Sequence, residues 1–138
     1  MDNKLDEALV KNFPNLYADR NGDMKSTLMC WGFECQGGWE PLIRELSEKL
    51  EKLIVEYKKE YPSAEHSPRA MQVKEKYGTL RFYMTTSTAE MESLIDEAES
   101  KSAKTCEDCG AIGKLRGGGW LRTLCNKCET ERKEKNVW

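Results

Sequence analysis

Cys106, Cys109, Cys125 and Cys128 are the residues of this chain whose type and spacing most directly imply chemistry. They form the pattern C-x2-C-x15-C-x2-C. Two intervening residues let one tight turn aim both thiolates of a pair at a common point. Two such pairs complete a tetrahedral sulfur shell with metal–sulfur bonds of about 2.3 Å, which suits Zn2+. Four protein ligands leave no open position for water or substrate, so one zinc ion with a structural role is expected. An iron centre is the second reading of the same sulfur set, and buried free thiols are the third. The chain has six cysteines in 138 residues, a count that would suggest disulfides in a secreted protein. Met1 to Val10, however, mixes charges with leucine and lacks a basic-then-apolar signal region, so a cytosolic chain with a metal site is expected. Cys30 and Cys35 make a poor ligand set with the single, distant His66, and the expected reading is two ordinary buried thiols.

The elements around the two pairs predict how they are held. Gly110 follows the first pair, where a knuckle turn favours positive φ. Lys114 to Arg116 and Trp120 to Leu124 flank Gly117-Gly118-Gly119, which predicts a hairpin. Asn126 to Lys135 has no helix breaker and pairs Glu129 with Lys133 and Glu131 with Lys135 at helical spacing, so a helix should begin at the second pair. Residues 104–138 therefore read as a separate zinc-binding module of treble-clef type, similar in plan to GATA-type fingers over about residues 104–135.

Residues 1–103 read as an α+β body. A short helix is expected over 3–12 and a turn at Asn21-Gly22. Residues 24–38 are apolar in patches and interrupted by glycine, which predicts an irregular or short extended segment against the core. Leu42, Ile43, Leu46, Leu50, Leu53, Ile54 and Tyr57 recur at three- and four-residue spacings, predicting a long amphipathic helix over about 39–60 with Pro41 in its first turn. Met71 and Val73, then Leu80, Phe82 and Met84, alternate with polar residues around Lys76 to Thr79, which predicts a hairpin over about 70–85. A lone hairpin is not stable, so one face should pack on the long helix. Ser87 to Glu90 fits a capping box ahead of a helix over about 88–102.

Charge divides unevenly. The chain carries a formal net charge of −2 and a pI near 5.6. Residues 104–138 balance to +3 and residues 1–103 to −5. An acidic chain of this kind is a poor non-specific polyanion binder, but a local basic patch is compatible with it. Lys74, Lys76 and Arg81 share the hairpin with Tyr77 and Tyr83, a mixture that binds single-stranded nucleic acid or a nucleotide when it lies on one sheet face. The alternative is a solvated strand face. Arg116, Trp120 and Arg122, with Lys114 and Lys127, are candidates for a phosphate-contacting edge of the zinc module, against the alternative that Trp120 packs inward. Trp31, Phe33 and Trp39 among glycines either line a pocket or anchor the segment to the core.

WGFECQGGWEPLI (31–43), VKEKYGTLRFYM (73–84) and CEDCGAIGKLRGGGWLRTLCNKC (106–128) together resemble a family of small, largely uncharacterised bacteriophage and prophage proteins. Those carry a similar Gly-Phe-Glu-Cys…Gly-Trp segment, a Val-Lys-Glu-Lys…Leu-Arg-Phe-Tyr hairpin and a C-terminal two-pair cysteine module. The resemblance spans most of residues 31–128 and implies work in the cytosol of a bacterial host. The expected function is that of a non-enzymatic zinc protein presenting a basic, aromatic surface to nucleic acid or a host protein. The alternative is a counter-defence factor that inhibits a host immune protein or sequesters a nucleotide signal. An enzyme ranks last, because His66 lies in a Pro/Ser loop and no carboxylate pair has a spacing that argues for acid–base work. No apolar run approaches the about 20 residues of a membrane span, and the acidic body with its apolar helix permits a dimer.

Overall fold

The computed structural model describes residues 1–63, 67–117 and 120–135. Leu9 and Phe13 pack one face of helix α1 (Asn3–Asn12) inward, and the Asp2 carboxylate caps its start by accepting the Lys4 N–H. The chain then folds back so that Tyr17 is buried, its hydroxyl 2.6 Å from Ser47 Oγ. Arg20 reaches the Asp6 carboxylate at 3.0 Å and donates to the Cys30 carbonyl, tying α1 to the following segment. Strand β1 (Phe33–Glu34) follows a single 3-10 turn over Met29–Trp31, and a second over Gly37–Trp39 leads into α2 (Glu40–Glu60). Strands β2 (Ala70–Lys76) and β3 (Thr79–Met84) form the hairpin, and α3 (Ala89–Ser102) closes the body.

The strands make one sheet in the order β1-β2-β3, with β1 parallel to β2 and β2 antiparallel to β3. Side chains alternate across it. Phe33, Val73, Leu80 and Phe82 point into a core shared with Ile43, Leu46, Leu50 and Ile54 of α2 and with Met91 and Ile95 of α3. The long helix buries the face that its periodicity predicts, and the hairpin does so except at Met71: the register shifts between Ala70 and Gln72, and Ala70 is buried in its place. The exposed edge of β3 is covered by α3: Ser102 Oγ accepts the Leu80 N–H at 2.8 Å and the Glu99 carboxylate accepts the Phe82 N–H at 3.0 Å. Those two N–H groups would otherwise be a template for another strand.

Two local expectations are corrected, the cap of α3 and the placement of Trp31, and one is met. The cap of α3 is Thr88, whose Oγ1 accepts the Met91 N–H, while Ser87 bonds the Glu92 carboxylate instead of serving as the cap. The short extended element expected within 24–38 is present as β1, packed on the core through Phe33. Phe33 and the following Trp39 are core, but Trp31 is 61% exposed and does not join it.

The C-terminal segment continues through β4 (Lys114–Arg116), β5 (Arg122–Leu124) and α4 (Asn126–Glu134), with β4 and β5 antiparallel. Overall the described residues are a mixture of four helices and two small sheets with a C-terminal cysteine cluster. No helix among them is long and apolar enough to cross a membrane. His66, the tip of the glycine run at 118–119, and Trp138 lie outside the described residues.

Candidate metal centre

The first cysteine pair sits on a turn closed by the Gly110 N–H to the Cys106 carbonyl at 2.9 Å. Gly110 adopts φ 85°, the left-handed region where a Cβ would clash. The turn is held flat on the hairpin: the Cys106 N–H donates to the Ala111 carbonyl, and the Glu107 N–H donates to the Thr123 carbonyl of β5. The second pair opens α4. Cys125 occupies the N-cap position, and its sulfur accepts the Cys128 N–H at 3.4 Å as a serine oxygen would.

These two turns bring all four sulfur atoms within 4.8 Å of one another. The Cys109 and Cys125 sulfurs are 3.7 Å apart. Four sulfurs at about 2.3 Å from a single central ion would be separated by about 3.8 Å. The spacing therefore fits one metal ion. A four-iron cluster gives each thiolate its own iron and spreads the sulfurs more widely. Cys106 and Cys128 are buried, Cys125 is half-buried and Cys109 is exposed, so the set opens to solvent on one side. The Cys128 N–H holds the Cys125 thiol down to about 7, whereas burial pushes Cys128 up. Without a cation, four neighbouring thiols cannot all ionise, because each thiolate disfavours the next. A divalent ion removes that conflict, and a donor set made only of sulfur is suited to Zn2+ or iron rather than to a hard oxygen-seeking cation.

Arginines of the same segment brace the centre. Arg116 donates to Glu129 at 2.6 Å, to Asn126 at 2.7 Å and to the Leu124 carbonyl at 3.1 Å, joining β4 to α4. Arg132 grips Asp108 through two bonds of 2.6 and 2.7 Å, joining α4 to the first cysteine turn. Arg122 contacts the buried Glu107 carboxylate at 3.3 Å, and its Nε has no partner among the described residues. Of the sequence-predicted binding residues, then, Arg116 and Arg122 are turned into internal ties, with side chains only 10% and 12% exposed. Trp120 is 53% exposed and does not pack inward.

The centre is also joined to the body. Trp39 Nε1 donates to the Thr105 carbonyl at 2.8 Å, and the Gly38 N–H donates to the Glu107 carbonyl at 2.7 Å. Glu107 accepts the Gln36 N–H at 3.0 Å, and burial pushes its carboxyl above the usual range, opposed by that N–H and by Arg122. Thr123 Oγ1 donates to the Gly78 carbonyl at 2.6 Å. Gly38 is required here: a Cβ would stand 2.4 Å from the Cys106 and Glu107 carbonyl oxygens. The spacing of the cysteines announces the metal site, but these long-range ties carry no local signal beyond the paired glycines.

Lys74, Lys76 and Arg81 are brought together on the outer face of the three-stranded sheet. Lys74 lies directly opposite Arg81, and Tyr83 lies opposite Gln72 on the same face. No side chain of this face is buried, and no ion pair among the described residues involves Lys74, Lys76 or Arg81. Glu34 lies beside Lys74 in the neighbouring strand, with its carboxylate accepting from the Gln72 amide at 3.2 Å. Cys35, near the sheet's inner face, is pushed up to about 12 chiefly by burial, so it stays a neutral thiol. Cys30 bonds the Thr27 carbonyl.

Fold and site together define a mixed helix-and-strand protein with a four-cysteine cluster able to hold one metal ion. The chain matches no family model, no curated protein and no solved structure.

Proposed function

We propose that this chain is a non-enzymatic nucleic-acid-binding protein, braced by one structural zinc ion in a treble-clef module. The partner's phosphates lie on the outer face of the three-stranded sheet. The observation that carries the reading is the pair Lys74 and Arg81, directly opposed across β2 and β3, with neither in an ion pair among the described residues. Like charges placed opposite one another on a sheet destabilise it. An anion lying between them reverses that penalty, and Lys76 and Tyr83 extend the same surface. Knuckle, hairpin and helix-capping cysteine follow one another in treble-clef order, which supports the zinc assignment. The phage-like motifs favour a bacterial cytosol as the place of action.

The test is fluorescence anisotropy of a labelled oligonucleotide against the zinc-loaded protein. Affinity is expected to fall steeply between about 50 and 200 mM salt, and Lys74→Ala with Arg81→Ala should reduce the log–log salt slope by about 1–2. Absence of binding at the lowest salt would refute the reading.

A further inference from the structure

Tyr77 has φ 54°, the only positive φ of a non-glycine residue among those described. With Gly78 at φ 85° it makes a two-residue hairpin turn with both central residues left-handed. Asn-Gly is the pair that such a turn favours. A tyrosine there is strained, and its ring is 69% exposed, so packing does not explain it. Strain of this kind points to a role for the side chain.

Tyr77 forms one wall of a groove of about 410 Å3, lined also by Glu75, Lys76, Trp120 and Leu121. That volume lies within the range of small-ligand sites. Its walls come from different parts of the chain and are held in register. Thr123 of β5 bonds the Gly78 carbonyl, and Leu115 of β4 lies against Gly78 so closely that a Cβ there would be 2.6 Å from its methyl. Trp120 is 53% exposed and Leu121 37%. Lys76 belongs both to this groove and to the basic sheet face, with its ammonium 5.6 Å from the Tyr77 ring centre. The acidic residue in the groove, Glu75, has its carboxylate engaged by the Gly78 N–H at 2.8 Å.

A basic track that ends in an aromatic groove matches one chemistry: a flat heteroaromatic ring attached to a chain of phosphates. We infer that the groove between Tyr77 and Trp120 stacks an unpaired base of a single-stranded nucleic acid whose phosphates lie along Lys76, Lys74 and Arg81. This inference rests on the function proposed above and specifies its strand state. In a duplex the bases are paired and stacked within the helix and do not reach the groove. An apolar peptide would use the aromatic walls but would not need the unpaired cations beside them.

The experiment compares a labelled single strand, a duplex of the same length and a mononucleotide, each titrated with the zinc-loaded chain and its variants. The single strand should bind at least about tenfold tighter than the duplex. Trp120→Ala should weaken single-strand binding about tenfold while leaving duplex affinity and the salt slope unchanged. Tyr77→Asn should weaken it similarly and raise Tm, because asparagine relieves the turn; a structural role for the tyrosine predicts lower Tm instead. If both variants bind the single strand like wild type while the Lys74→Ala, Arg81→Ala protein binds less well, the base-stacking inference is wrong and the phosphate reading stands. A mononucleotide that binds as tightly as the strand also overturns it. If no nucleic acid binds, both fall, and an apolar protein segment becomes the occupant to seek.

Discussion

Arg116, Arg122 and Arg132 show why residue type does not reveal residue role. Each is a cation in a segment of positive balance, and each is bonded to an acid 13 to 24 positions away. Those partners meet only because the cysteine turn, the hairpin and α4 are folded together, so no local pattern distinguishes a structural arginine from a binding one. The cysteines are different. Their spacing alone encodes two turns, and the turns bring the sulfurs within 4.8 Å. Gly38 is the intermediate case, visible as half of a glycine pair but explained only by the carbonyl oxygens 2.4 Å from its missing Cβ. Because those contacts are backbone, they cannot swing aside. Gly38→Ala should cost at least about 2 kcal/mol, read as a lowered denaturation midpoint at unchanged m-value. A variant as stable as wild type would mean that the turn and the 3-10 segment do not meet as described.

At the scale of elements, periodicity carries most of the information. The apolar spacing of α2 and the alternation of β2 and β3 are strong signals because each element buries one face in the same core. Strand β1 is two residues long, too short to alternate, and its parallel pairing with β2 is a long-range event invisible in the local sequence. The helical cover over the β3 edge is equally non-local. Glu99 provides part of it while bearing a cost: burial raises its pKa above the ordinary 4.5, against the lowering effect of the Phe82 N–H and of nearby Arg81. A carboxyl with a raised folded-state pKa binds its proton more tightly in the native state. Its contribution to stability is therefore lost as pH rises from the unfolded value through the folded one. Glu99→Gln keeps an oxygen for the Phe82 N–H and removes the charge. Stability of this variant, measured by denaturant titration upward from about pH 4, should decline less with pH than that of wild type. Parallel curves would show that the carboxylate is already well solvated.

For the molecule as a whole, the metal centre lies at a seam. Trp39, Gly38 and Gln36 of the body bond the first cysteine turn, and Gly78 of the hairpin bonds β5. The groove between Tyr77 and Trp120 spans that same seam, so the proposed binding surface and the cysteine cluster are mechanically linked: an ion held by the four sulfurs would fix the cysteine turns and with them one wall of the groove. The opposed charges of the two segments take on a different meaning in the folded chain. The arginines of the C-terminal segment are tied to its own acids, so its balance of +3 rests on its lysines, while Lys74, Lys76 and Arg81 cluster on one face of the acidic body's sheet. The metal centre stands or falls with a single ion held by four sulfurs, and native mass spectrometry of the purified chain measures that directly. One zinc per chain is expected, with Cys106→Ser and Cys125→Ser each losing it. A metal-free chain, or either variant at full metal content, would contradict the account.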